Sequence, residues 1–366
     1  MKEELLKKIG KRYREAVYRS SNSNFFIYNK LNFCESVKLY GGKSYDNVLL
    51  TIMIPTFGRA ELLERCIKSA IDQNTSINYE ILIIDNNPDH LKNSPIIDIL
   101  KKYNDNRIVY YCNKKNLGSI GNWNNGFQIA RGKWVVMLHD DDIMHPNWIE
   151  IMINACYKLG DNADVISCKL SEIFCNQDVV KFQKSKVDYG KIKKCNLNDI
   201  AKGMVIPVLG SLVRKNFFER IGGFRTDIFY IADYIFMGNA IKKGKVYCIN
   251  EKLYGYGISD VNASSNGELW NAVLVSEYYY TQNILTECGH NIRYSELYAR
   301  FKLCSSIIAH NYPKLKLCAF KNTKVNKKLI MQLCDINSFT FNCIYLVAFL
   351  YSFCVYLKHL VCGKEK

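Results

Sequence analysis

The sequence predicts an α/β fold, a mostly parallel sheet with flanking helices, followed by a helical C-terminal extension. Three observations carry this. Between residues 48 and 150, apolar runs alternate strictly with segments of helical periodicity. The runs LLTIMIP (49–55), YEILIID (79–85) and KWVVML (133–138) are nearly continuous rather than alternating, as strands covered on both faces must be. Each run ends in a polar cluster, and ligands of parallel sheets bind beyond the carboxyl ends of the strands.

Taken in order, residues 1–47 predict a basic helical extension, because Leu5, Leu6, Ile9, Tyr13, Ala16 and Val17 recur at helical spacing among Lys and Arg. The pattern changes after Gly41-Gly42. The first strand at 49–55 leads into a helix over 59–73, where Leu62, Leu63, Cys66, Ile67, Ala70 and Ile71 share a face. After the strand at 79–85, PIIDILKKY (95–103) predicts a helix, RIVYYC (107–112) a strand, SIGNWNNGFQIA (119–130) a helix, and 133–138 a buried strand. Beyond residue 150 the pattern loosens. ADVISCKL (163–170) predicts a strand, the basic stretch 186–199 a loop, and 229–249 a helix followed by a strand. From about 265 the chain is helical and rich in tyrosine. The expected division is a catalytic domain over 48–262, with halves 48–150 and 151–262, and a helical region over 263–366.

Composition narrows the class. With 366 residues and 48% hydrophobic content the chain can bury a large core. Its net charge of +16 suits nucleic acid, an anionic membrane surface or a polyphosphate-bearing substrate, without choosing among them. The 15 cysteines lie scattered, without C-x-x-C pairs, which predicts reduced thiols and a cytoplasmic location. The N-terminus mixes acids and bases and has no continuous apolar core, unlike a secretory signal.

The chemistry concentrates in WVVMLHDDDIMHP (134–146), where an apolar strand runs into Asp140, Asp141 and Asp142. Adjacent carboxylates repel and call for something cationic between them. Oxygen ligands at a strand end suit Mn2+ or Mg2+, which completes its shell with phosphate oxygens and water. The alternative is that the triplet caps the helix beginning near Pro146. Asp85, ending its strand, can accept hydrogen bonds from a ribose or base, or close an Asx turn. Arg59, just past the first strand, can meet phosphate, or lie exposed in a first helical turn. No G-x-x-x-x-G-K-[ST] is present and no G-x-G-x-x-G follows the first strand.

Four segments in order, IMIPTFGRAELLERCIKSAIDQ, EILIIDNN, NLGSIGNWNNGFQIARGKWVVMLHDDD and GGFRTDIFYIADY, together resemble the family 2 glycosyltransferases, over roughly residues 48–260. The resemblance implies the A-type glycosyltransferase fold (GT-A), a Rossmann-like sheet, and inverting transfer from a nucleotide-sugar donor, most often UDP-linked, in surface-polysaccharide synthesis. It implies nucleoside or donor roles for Pro55, Thr56, Phe57, Arg59, Asp85, Asn116, Gly118 and Asp140. The family's acidic D-x-D motif fits in two registers. One makes Asp141 the principal metal ligand with His139 at the first acidic position; the other uses Asp140 and Asp142. We favour Asp141, with Asp140 near the ribose or diphosphate and Asp142 structural. His139 is then a ligand or a hydrogen-bonded strand-end histidine. His145 has less claim.

An inverting transfer needs a general base for the acceptor hydroxyl. The resemblance places it in an acidic dipeptide after GGF, here Ala232-Asp233, so Asp233 takes the role, with Asp227 as fallback. Gly210, Ser211, Arg214 and the loop 254–266 are the expected acceptor region. The acceptor is expected to be a glycan or a polyprenyl-diphosphate-linked glycan. FTFNCIYLVAFLYSFCVYL (339–357) carries no charge and has apolar residues all round, which predicts membrane contact, a span, or a helix buried on the domain. Contact with an anionic membrane would explain tail and charge together. Two other classes compete. A sugar nucleotidyltransferase would show a Gly-rich loop after the first strand. A nucleic-acid-binding protein, which we do not expect, would interleave aromatic and basic residues on one face.

Overall fold

The computed structural model describes residues 34–41, 47–201, 206–226, 231–258, 267–311, 325–334 and 336–362. They divide into two compact units, 34–258 and 267–362.

The first unit is built on one sheet. Strand β1 (Ser36–Gly41) is its edge, followed by β2 (Leu50–Thr56), helix α1 (Ala60–Ile71), β3 (Tyr79–Asp85), α2 (Pro95–Tyr103), β4 (Ile108–Asn113), α3 (Gly118–Ile129) and β5 (Trp134–Met137). Strands β4, β3, β2 and β5 lie side by side and parallel. All seven residues of β2 and of β3 are buried, which is why their sequences show no alternation. Helix α1 buries Leu63, Cys66, Ile67 and Ala70, the apolar positions of its period. Helix α2 starts where Ser94 accepts the Ile96 N–H at 3.3 Å and Pro95 takes the first turn, and stops at Asn104, whose φ of 44° ends the spiral.

Past β5 the chain forms β6 (Ile143–Met144), α4 (Trp148–Leu159), β7 (Val165–Ile173), α5 (Asn176–Gln183), β8 (Ile192–Lys194), α6 (Leu197–Ala201), β9 (Leu212–Arg214), α7 (Lys215–Ile221), α8 (Ala232–Lys243) and β10 (Val246–Gly257). The strand order is β1-β4-β3-β2-β5-β9-β7-β10-β6, with β8 on β10. Strand β9 runs antiparallel between β5 and β7, so the alternation of the first half gives way to a mixed sheet. The four parallel strands and the parallel β7-β10 pair keep the sheet mostly parallel, as expected.

Two segments differ from expectation. Residues 36–41, read as part of a helical extension, form an antiparallel edge strand on β4. An edge strand needs backbone partners on one side only, so the polar Ser36 and Lys38 are tolerated and leave no apolar signal. The helical spacing at Leu5 to Val17 lies outside the described residues. The basic stretch 186–199, expected to be a loop, contains β8 and most of the short α6. Strand β8 forms because its backbone pairs with Tyr247, Cys248 and Ile249 of β10, while Lys193 meets Asp199 at 2.6 Å. Cysteines among the described residues are free thiols, most of them buried.

The second unit comprises α9 (Gly267–Glu287), α10 (Ile292–Asn311), α11 (Lys327–Leu333) and α12 (Ser338–Cys362). Its core includes Leu274, Tyr278, Leu303, Ile307, Ile330 and Phe341. Among the described residues no helix is long and apolar enough to cross a membrane.

Helix α3 rides close on the sheet at Gly126, where an added Cβ would come within 2.8 Å of the Met53 sulfur and 3.0 Å of Ile84. Gly126→Val is therefore expected to wedge α3 off β2 and β3 and to cost about 1–3 kcal/mol, read as a lower urea midpoint with an unchanged slope. An unchanged midpoint would show that α3 can shift freely.

Candidate active site

Four strand ends converge where the sequence expected them to. Thr56 closes β2, Asp85 closes β3, Asn113 closes β4, and the chain leaving β5 carries His139 to Asp142. Each of the three carboxylates meets a different set of partners. Asp140, fully buried, accepts from the Thr56 hydroxyl at 2.7 Å and from the Arg59 guanidinium. Asp141 accepts from the other arm of Arg59 at 2.9 Å, and its carbonyl takes a bond from Arg65 at 2.9 Å. Asp142, also fully buried, accepts from the Tyr254 hydroxyl at 2.6 Å and the Gly257 N–H at 2.7 Å. None of the three caps α4, whose N-cap residue is Asn147.

Burial pushes the Asp140 carboxyl up to about 6, with Arg59 and Thr56 opposing. Arg59, facing two carboxylates, is held more firmly protonated against its own desolvation. At neutral pH the pair is ionised. Burial raises Asp142 as well, with Asp141 adding to it, while the Tyr254 and Gly257 donors pull the other way.

His139 stands beside this array. Its ring is 23% exposed, yet Nε2 is shielded and has no hydrogen-bond partner among the described residues. Burial and the Arg59 charge hold its pKa down at about 4 against the pull of Asp141, so the imidazole is neutral with a lone pair to offer. Trp123 on α3 lies 5.2 Å from the ring, and the His139 backbone N–H donates to Tyr254 at 3.1 Å. Ligand atoms of His139, Asp141 and Asp142 all lie within 4.8 Å of one another. An orphaned buried nitrogen beside two carboxylates fits a divalent cation such as Mn2+ or Mg2+. His139 is thus not the hydrogen-bonded strand-end histidine that the sequence left as an alternative. His145 is: its ring bonds the Ser185 carbonyl at 3.1 Å and the Asn147 N–H at 3.2 Å.

Asp85 is more enclosed than the sequence suggested. Its two oxygens meet the Asn87 N–H at 2.9 Å, the Tyr110 hydroxyl at 2.8 Å and His90 Nδ1 at 2.6 Å. It closes an Asx turn and organises the end of β3 from within. Asn86, next along, bonds Asn116 at 2.8 Å, the Gly118 carbonyl at 3.2 Å and the Leu117 N–H at 2.9 Å, holding the NLG turn against β3. Pro55 is buried inside β2, and Phe57, just beyond it, is 52% exposed at the lip of the crevice.

The expected acceptor residues separate. Gly210 donates to the Met137 carbonyl at 3.3 Å at the carboxyl end of β5, and Ser211 turns inward to Pro207 at 2.5 Å. Arg214 is a correction. It pairs with Trp134 at the opposite end of β5, its guanidinium 4.6 Å above that ring and bonded to the Ala163 carbonyl at 2.8 Å. A side chain committed to sheet packing there does not face the crevice. Asp233 lies in the first turn of α8. Asp227 and residues 259–266 of the expected acceptor loop lie outside the described residues.

Sequence reasoning missed two positioning residues. Asn124 on α3 grips the GGF turn, accepting from the Phe224 N–H at 2.9 Å and donating to its carbonyl at 2.7 Å. Gly223 makes room for this: its φ is +59°, and a Cβ would fall 2.7 Å from the Asn124 oxygen. Phe224 then packs on Trp123 at 5.5 Å and on Phe236 of α8 at 4.6 Å. One aromatic chain thus runs from the metal-type cluster through α3 to the helix that carries Asp233. The repeated Asn in NWNNGF was the available signal. The second is Tyr254, which the sequence placed only in the acceptor loop 254–266; residues 254–257 instead end β10, and Tyr254 serves both Asp142 and the His139 backbone.

Tyr254→Phe keeps the ring but strips the buried Asp142 of a donor and the His139 N–H of its acceptor. It is expected to cost about 1–3 kcal/mol, read as a drop in Tm; a Tm equal to wild type would mean that water replaces the hydroxyl.

Residues 51–222 match the glycosyl transferase family 2 model. Over 242 residues the chain is 26% identical to the poly(ribitol-phosphate) beta-N-acetylglucosaminyltransferase TarP of Staphylococcus aureus, covering 64% of this chain and 70% of that one. Over 94 residues it is 38% identical to the GalNAc(5)-diNAcBac-PP-undecaprenol beta-1,3-glucosyltransferase of Campylobacter jejuni, covering 25% of this chain and 29% of that protein. In fold it resembles the crystal structure of S. aureus TarS, with a TM-score of 0.51 at 11% identity over 81% of this chain and 55% of TarS. The matched segment contains β2 from Thr51, β3, β4, β5 and β7, Arg59, the carboxylates and the GGF turn as far as Gly222. With its sheet of the A type, the segment 51–222 is a family 2 glycosyltransferase domain.

Proposed function

We propose that this glycosyltransferase moves a sugar, with inversion, from a UDP-sugar to a glycan or lipid-linked glycan during surface-polysaccharide synthesis, working on the cytoplasmic side of the membrane. The observation that carries the reading is Arg59 bridging Asp140 and Asp141 beside a His139 nitrogen that has no hydrogen-bond partner among the described residues, at the carboxyl end of the parallel strands. An arginine held there by two carboxylates is preorganised to meet a diphosphate without a further conformational search. The name of TarP makes N-acetylglucosamine the first donor sugar to test.

In this reading Thr56, Phe57 and the Asn86–Asn87 turn flank the nucleoside, and Asp85 fixes His90 and Tyr110 from inside. Asn116 and Gly118 line the donor pocket, with Gly210 and Ser211 below it. Asp141 and His139 would hold Mn2+ or Mg2+, while Asp142 keeps the turn in shape through Tyr254 and Gly257. The bound cation would neutralise charge growing on the leaving diphosphate. Asp233 takes the proton from the acceptor hydroxyl as that oxygen attacks the anomeric carbon from the face opposite the diphosphate. Its setting in the first turn of α8 favours the ionised form that a base requires.

Calorimetry is expected to show UDP binding that strengthens with Mn2+ and weakens roughly tenfold or more in Asp141→Asn. Asp233→Asn is expected to bind UDP normally but to lose roughly 10²–10⁴-fold in transfer rate. Metal-independent binding that Asp141→Asn leaves intact would remove the carboxylates from the donor site. The pH profile supplies a separate check. As pH falls through about 6, Asp140 takes up a proton and releases its half of Arg59, so donor affinity should fall on the acid side. Asp140→Asn, already uncharged, should lack that limb; an acid limb that persists in the variant assigns it to another group.

A further inference from the structure

The second unit presents an apolar surface that the transfer chemistry does not use. On α12, Phe341, Ala348 and Ser352 are buried at helical spacing. Lys327 holds this side down, donating to Asn342 at 3.3 Å with its ammonium 4.2 Å above the Tyr345 ring. The other face shows Phe339, Leu346, Val347, Leu350 and Tyr351 between 54% and 81% exposed. Ile292 and Leu297 of α10 are also exposed, at 63% and 57%. Between the two helices runs a groove of about 390 Å³ lined by Tyr294, Leu297, Tyr298, Phe301, Ile344 and Val347. Exposed apolar residues gathered in this way on one face of a unit with its own buried core mark a contact with something apolar.

We propose that this face docks in the plane of an anionic lipid bilayer. Charge selects the occupant. In sequence, residues 314–328, KLKLCAFKNTKVNKK, hold six lysines and no acid, of which Lys327 and Lys328 open α11, within a chain of net charge +16. An exposed apolar helix face with a basic run close to it in sequence is the composition of an interfacial helix on anionic lipid. The burial of one side of α12 decides between lying on the membrane and crossing it. Helix α10, packed along α12, carries Arg293, Glu296, Arg300 and Lys302, with Arg300 paired to Glu296 at 3.8 Å, and such a helix does not enter hydrocarbon. The proposal rests on the second unit alone and stands whether or not the donor is a UDP-sugar.

The test is flotation of the full chain with vesicles of phosphatidylcholine alone and of phosphatidylcholine with phosphatidylglycerol. Binding to the anionic vesicles at least roughly tenfold tighter than to the neutral ones, and reversed by high salt, is expected. The exposed double variant Leu346→Glu/Leu350→Glu should lose that binding while keeping its Tm and its UDP affinity. Three results would overturn the proposal: no binding to either vesicle, equal binding by the double variant, or retention on the membrane through alkaline carbonate, which reports a span. Sedimentation velocity covers the remaining case, since a wild-type dimer that the double variant abolishes, without vesicle binding, assigns the face to a second copy.

Discussion

Three adjacent carboxylates at the end of a buried strand are the constraint around which this site is organised. Their mutual repulsion and the cost of burying charge would unfold the turn if each were not separately satisfied. The chain divides the task among distant segments. Arg59, at the start of α1, takes Asp140 and half of Asp141; Tyr254 and Gly257 of β10 take Asp142. The motif therefore cannot form until β2, β5 and β10 are all in place. That ties the chemistry of the crevice to closure of the sheet.

Much of this was legible in the sequence because the first half obeys a simple rule. Strands buried on both faces must be largely apolar, and β2, β3 and β5 are, apart from the paired Thr51 and Glu80 and the polar residues that end β2 and β3, so their positions and their parallel arrangement could be read from local pattern. The polar residues following them had then to share one edge, which brought Arg59, Asp85, Asn116 and Asp140 together on paper. What escaped had no local signal. Strand β1 is polar because an edge tolerates it, and β8 is basic because β10 supplies its partners. Arg214 looked like an acceptor ligand from its neighbours in sequence, but antiparallel pairing carries it to the far end of β5, where Trp134 occupies its face. Direction of pairing is a tertiary property that the local pattern of LVR does not encode.

The amides of α3 show how a helix with little amphipathic character can still be fixed in place. Asn122, Asn124 and Asn125 are buried, and the Nδ2 of each donates to a different part of the unit. Asn122 reaches the Ile84 carbonyl at 3.1 Å and Asn125 reaches Asn113 at 2.7 Å, while Asn124 takes both backbone groups of Phe224. Buried amides with so many satisfied bonds specify position more sharply than an apolar face, because a slip of one residue would orphan several groups at once. The NLG turn and the GGF turn are thus set relative to one another by a single helix lying between them.

His139 follows from the same electrostatics. An acidic side chain at this position would make four consecutive carboxylates, and the fold has already committed Arg59, Tyr254 and Gly257 to the three it has. An imidazole kept neutral by burial gives a ligand atom without a further negative charge. The cost is that its Nε2 has no hydrogen-bond partner among the described residues, which a fold accepts where some other group completes the bond. The departure from the acidic pattern therefore preserves the donor set while lowering the charge that must be neutralised. Trp123 closes over the ring and Tyr254 pins its backbone, so the lone pair is held in one direction, which a flexible carboxylate would not achieve.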